Sequence, residues 1–294
     1  MTREPLKATF FAFRRREQRG VLRRTSVAHA GLLLASGGAG VLANANLLAR
    51  MAQGTAQDID AAATALWLAT FVTWSVLYFL TMASYEAACL RWLIRGEMRG
   101  LSGLSLGADT MRVWLGQWLW AGLTIPLFIV GVLVVSFVLE FLHTTPEQAG
   151  GPGVLSAVSW AIPAAPLALR LAPGNAASVG RRRFAYFDAW RVSAGRFRAL
   201  TGSYLIVWFL WAVIGTVVLA GFSICVFAIL GDNSERAPLI NTLMLGAMAL
   251  TLVVGNMWVT FLLAGVNARA VLAAAREGKI DGVDTPDDVA RVFE

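Results

Sequence analysis

The chain predicts an all-α, polytopic membrane protein with six transmembrane helices. Three observations carry that expectation. Hydrophobic residues fill 57% of 294 positions, with a mean hydropathy of +0.63. Charged residues make up only 15%, against about 25% in soluble domains. The apolar residues also fall in runs near the roughly 20 residues that a helix needs to cross a bilayer core of about 30 Å. Backbone groups in lipid must be paired within their own segment, which favours helices, and the short alternating segments of a transmembrane barrel are not seen.

Taken in order, residues 1–25 form a basic segment carrying Arg3, Lys7, Arg14, Arg15, Arg16, Arg19, Arg23 and Arg24. Its Thr9-Phe10-Phe11-Ala12-Phe13 run reads either as a short helix lying in the interface or as part of a positive anchor. The membrane domain is expected over 26–268, with spans at 26–49, 61–90, 113–139, 154–172, 199–230 and 237–268. Ser36-Gly37-Gly38 and Gly40 in the first span suit close helix packing, and His29 near its start reads as a headgroup contact. Trp114, Trp118 and Trp120 open the third span as an aromatic belt, and Pro126 within it is expected to kink the helix. The fourth span holds Pro163 and Pro166, and the sixth carries no charge at all. Polar loops are expected at 50–60, 143–153 and 231–236. Residues 269–294 form a tail, with a short helix capped at Thr285 and opened by Pro286.

Orientation follows from the cations. The N-terminal segment, the 91–112 and 170–198 loops and the tail hold 23 of the 25 Lys and Arg residues, leaving Arg50 and Arg236 on the other side. The positive-inside rule then places both termini in the cytoplasm. The net charge of +7 fits anionic headgroups rather than nucleic acid, because the arginines cluster where apolar runs end. Cys89 and Cys225 fall near opposite faces, too far apart for a disulfide, and read as small buried hydrophobes.

The two inner loops resemble one another at an offset of 86 residues. Leu101, Leu104, Ala108 and Met111 fall on Phe187, Trp190, Ala194 and Phe197, while Arg112 falls on Arg198 and Gly116 on Gly202. The apolar positions follow i, i+3, i+7 and i+10, one stripe on a helix. Each loop is therefore expected to be an amphipathic helix on the cytoplasmic surface leading into a span. A parallel internal repeat would give pseudo-two-fold symmetry about the membrane normal. The competing reading is that any entry from the cytoplasm favours such a lead-in.

YEAACLRWLIRGE with LSLGADTMRVW, and the later DAWRVSAGRFRALTGSYL, resemble segments of uncharacterised bacterial six-helix inner-membrane proteins. They are distantly similar to the membrane domain associated with some glycerophosphodiester phosphodiesterases. The resemblance covers spans two to six and implies the fold and a bacterial inner-membrane location. It implies no phosphodiesterase activity, since that catalytic domain is not in this sequence.

No catalytic, cofactor or metal motif is legible: the two histidines and two cysteines are scattered, and Walker or metallopeptidase signatures are not seen. A non-enzymatic role follows as the expectation. The candidate headgroup or partner contacts are Arg181, Arg182, Arg183, Arg191, Arg198 and Arg112. Glu86 and Arg91 are expected as a buried ion pair, with Arg170 as another cation for Glu86, and Asp188 and Arg191 as an i, i+3 pair. The expected partners are membrane lipids with anionic headgroups and another membrane protein. The alternative is a small-solute or lipid transporter with a cavity between repeats, to which Asn44, Asn46, Gln117 and Asn256 would contribute polar groups.

Overall fold

The computed structural model describes residues 9–14, 19–43, 61–141, 165–230 and 237–283. Expectations for the 50–60, 143–153 and 231–236 loops, most of the fourth span, Asn44, Asn46 and the helix at Thr285 lie outside these residues. The described chain is helical: α1 (Phe11–Arg14), α2 (Arg19–Ala43), α3 (Ala61–Arg95), α4 (Ala108–Phe141), α5 (Gly174–Gly180), α6 (Ala189–Ser193), α7 (Phe197–Leu230) and α8 (Ala237–Arg276). Residues 165–171 are also helical, and a 3₁₀ turn spans Tyr186–Asp188.

Four of these helices are long and apolar enough to cross a membrane, over Thr64–Arg95, Ala108–Val138, Phe197–Val226 and Gly246–Arg276. α4 runs through Pro126 as one helix. In the first two of these spans only 6% of the most apolar stretch is buried inside the protein. Leu66, Trp67, Phe71, Leu133, Phe137, Phe209 and Val217 stand exposed along their flanks. Apolar surface of that extent has its natural solvent in lipid. The protein is accordingly a membrane protein.

The packed core lies at one end of the long helices. Leu90, Leu93, Ile94, Val113, Val179, Val192, Val266 and Val271 form its centre. α3 packs against α2, α4 and α8, α7 packs against α8, and α5 fills the space between α3, α4 and α8. The reason is local. α5 reads GNAASVG, and its small side chains are nearly all buried, so large side chains from three neighbouring helices can close over it.

Several expectations are corrected here. The first lead-in is not a helix: Gly100 and Gly103 take φ of 84° and 85°, and Leu101 bridges Leu104 in a tight turn. Left-handed backbone is open to glycine and ends a helix. A side chain at Gly103 would also strike Thr25 and Met98, within about 2.5 Å of each. The second lead-in is broken as well, since Ala194 is extended and Gly195 has φ of 78° before α7 begins. α1 docks on α8: Ala12 is buried on Gly265, and the half-buried Phe13 meets Phe261 edge-on at 5.5 Å. His29 is buried and stacked on Tyr85 at 4.5 Å, not placed among headgroups. Cys89 is buried as expected, but Cys225 is exposed on the apolar flank.

Candidate anion-binding site at the arginine-rich end

The C-terminal end of α3 and the N-terminal end of α4 meet through charge. Arg91 and Arg95, four residues apart, share one face of α3. Arg95 donates to Asp109 Oδ2 and, at 3.1 Å, to the Val179 carbonyl of α5. Arg112 donates to Asp109 Oδ1 at 2.6 Å. Arg91 donates to the Gly103 carbonyl at 3.2 Å, and its guanidinium lies 4.0 Å from Asp109. One carboxylate in the first turn of α4 thus faces three arginines, a position the helix dipole also favours.

A second carboxylate lies at the rim. Glu97 accepts from Arg182 at 3.0 Å, pairs with Arg99 at 2.9 Å and lies 3.7 Å from Arg95. Arg182 holds a left-handed φ of 54°, a conformation that costs a non-glycine residue about 1–2 kcal/mol. Between these groups is a cavity of about 220 Å³, lined by Arg91, Arg95, Arg99, Arg112, Arg182 and Asp109, with Ser105, Gly107 and Ala108.

The other candidate residues part company. Arg181, almost wholly buried, donates to both Asp188 and Asp281 and clasps the 277–283 segment to the 3₁₀ turn. It is a structural cation. Arg183 is well exposed at 3.9 Å from Asp281, and Arg191 and Arg198 are exposed. Asp188 therefore pairs with Arg181 rather than with Arg191. A companion clasp joins Arg196 to Glu277, with Lys279 at 3.1 Å from Glu277 and donating to the Ala194 carbonyl at 3.2 Å.

Glu86 and Arg91 do not form the expected pair. Glu86 Oε1 accepts from Asn175 at 2.9 Å and Oε2 accepts from Gln117 at 3.1 Å. The physical reason is their separation by five residues on α3, which turns the two side chains onto different faces. Arg170 likewise does not pair with Glu86. Its guanidinium carbon lies 5.3 Å from the Trp190 ring centre and 4.9 Å from that of Phe197, a cation–π arrangement. Asn256 donates to the Tyr78 hydroxyl at 3.3 Å. Near Glu86, burial pushes the Tyr186 hydroxyl above its usual range, helped by the Glu86 charge.

The Arg91-x₃-Arg95 spacing makes the α3 half of the cluster readable in advance. Asp109 stands at i, i+3 from Arg112 and Glu97 lies between Arg95 and Arg99, spacings that could have pointed to them, whereas Asp281 lies 100 residues from Arg181 and gives no pairing signal. Among the described residues no group of three or more His, Cys, Asp and Glu comes together to hold a metal. Comparison with protein-family models, curated proteins and solved structures finds no match for the chain.

The clasps give a pH prediction. Arg181 holds Asp281 below its usual range, and Lys279 followed by Arg196 does the same for Glu277. A depressed carboxylate stabilises the fold above its unfolded pKa and loses that contribution as pH falls through the folded value. Protease cleavage within 277–283 is expected to stay slow above about pH 5 and to rise as pH falls from about 4 to 3. A flat cleavage rate across that range would remove the clasps from the account.

Proposed function

We propose that this is a six-span bacterial inner-membrane protein with both termini in the cytoplasm, acting without catalysis as an accessory or scaffold protein. Its arginine-rich end faces the cytoplasm and engages anionic lipid headgroups and a protein partner. One observation carries the reading. Exposed cations and exposed aromatics share one end of the apolar helices: Arg183, Arg191 and Arg198 stand beside Phe184, Phe187 and Trp190, whose side chains are also exposed. Cations at headgroup level with aromatic bodies beneath them are the expected chemistry of a membrane interface.

Charge counting supports the six-span topology and the cytoplasmic termini. The match at an offset of 86 residues supports the internal repeat where it leads into α4 and α7. The resemblance to six-helix inner-membrane proteins belongs to the same proposal. Glu86, Gln117 and Asn175 are the polar groups that a transporter would use. Gln117 and Asn175 both donate to the Glu86 carboxylate, which satisfies both of its oxygens within the protein and favours the scaffold reading.

The test replaces Arg183, Arg191 and Arg198 with Gln and leaves the structural Arg181 intact. Affinity for phosphatidylglycerol, read as lipid retained after detergent exchange, is expected to fall about a hundredfold, since three cations near an anionic surface at about 1 kcal/mol each amount to about 3 kcal/mol. Co-purifying protein is expected to fall with it. Unchanged lipid retention and an unchanged set of co-purifying proteins would sink the proposal.

A further inference from the structure

We propose that the cavity between the end of α3, the start of α4 and the 181–183 turn binds a phosphate group, either free or carried on a lipid headgroup. This deepens the proposed function, and it rests on that reading where the phosphate belongs to a lipid.

Three observations converge. Five guanidinium groups line the cavity, from Arg91, Arg95, Arg99, Arg112 and Arg182, and Asp109 is the one carboxylate among the lining residues. Glu97 at the rim pairs with Arg99 and Arg182, so five arginines and two carboxylates leave a surplus of about three positive charges among the described residues. Like charges held this closely call for a counter-anion.

The second observation concerns orphaned donors. The side chains of Arg91 and Arg95 are only 2% and 3% exposed, yet the Nε–H of each has no acceptor among the described residues. Buried donors are nearly always satisfied, so the two guanidiniums are short of acceptors where they meet the cavity wall, and an anion would be held by terminal nitrogens of the cluster. The third is the floor. Gly107 and Ala108 stand where α4 begins, and the first N–H groups of that 34-residue helix have no acceptor within it.

Phosphate fits better than the alternatives. Asp109 has both oxygens occupied by Arg95 and Arg112, so it orients those cations. A tetrahedral phosphate offers several oxygens to arginines arriving from different sides, whereas a carboxylate offers two in one plane. The volume of about 220 Å³ is below the roughly 300 Å³ at which pockets for drug-sized ligands begin. It suits a single phosphate group, with any carrier lying outside the cavity.

The full chain in phosphatidylcholine nanodiscs is titrated with inorganic phosphate, and parallel nanodiscs carry increasing phosphatidic acid. Thermal midpoint and native mass spectrometry give the readouts. Saturable binding is expected, weakened at least tenfold in the Arg99→Gln/Arg182→Gln double variant. Those side chains are 62% and 57% exposed, so their replacement by Gln is expected to cost little stability. Arg276→Gln, an exposed cation outside the cavity, should titrate as the wild type does. A response to phosphate alone assigns a free anion, a response to phosphatidic acid alone assigns the headgroup, and a response to both assigns the shared group. No saturable response to either, or a double variant that titrates as wild type, overturns the proposal. If the Arg183/Arg191/Arg198 variant loses lipid while the cavity stays silent, this inference alone fails. If the cavity responds while lipid retention is unchanged, the lipid-face reading fails.

Discussion

Asp109→Asn is expected to destabilise the protein by about 3–5 kcal/mol, the range for removing one partner of a buried ion pair. The substitution keeps shape and volume and deletes only the charge that Arg95, Arg112 and Arg91 face. Arg91 and Arg95 are held in the core and cannot swing out to water, so the loss is not relieved by rearrangement. Unfolding in a fixed detergent, followed by a thermal or denaturant scan, measures it. At about 2–4 °C for each kcal/mol in a chain of this size, the midpoint should fall by roughly 10 °C. The charge-conserving Asp109→Glu variant should recover part of the loss. A wild-type midpoint for Asp109→Asn would show that the three arginines do not depend on this carboxylate.

Gly116→Val should have an effect of similar size for a steric reason. A Cβ at Gly116 would lie 2.2 Å from Asn175 Oδ1 and 3.0 Å from the Tyr186 ring. The ring cannot retreat, because a Cβ on Gly174 would meet it at 2.7 Å and the site is already close-packed. Overpacking of this kind costs about 1–3 kcal/mol. Displacing Asn175 also takes a donor from Glu86, at about 1–3 kcal/mol for a buried polar group left unsatisfied. Gly122→Val, where nothing lies within 4 Å of the added atom, is the control on the same helix. Equal midpoints for the two variants would contradict the socket described here for Tyr186.

Both sites lie at positions where sequence patterns gave partial information. The apolar run over 113–139 announced α4, and the structure carries that helix from Ala108 to Phe141. The same stripe read back to Leu101 predicted too much helix. Gly100 and Gly103 mark a turn by their positive φ, and an i, i+3 stripe cannot tell a helix from a turn that happens to share its spacing. Arg91 and Arg95 were legible as neighbours through their four-residue spacing. Arg181, read as a free headgroup contact, is occupied by Asp188 and by Asp281, which lies 100 residues away in sequence.

What the sequence determined by itself is what depends on local composition: helical class, the apolar stretches and the concentration of cations between them. Hydrophobic free energy and backbone satisfaction in lipid act on each segment separately, so a single stretch of residues reveals them. The tertiary structure alone decided which arginines are structural and which are exposed. It joined Glu86 to Asn175 and Gln117 instead of Arg91, and it gathered five arginines around one cavity. Coulomb pairing and close packing depend on distances across the fold, over segments whose separation along the chain bears no relation to their separation in space.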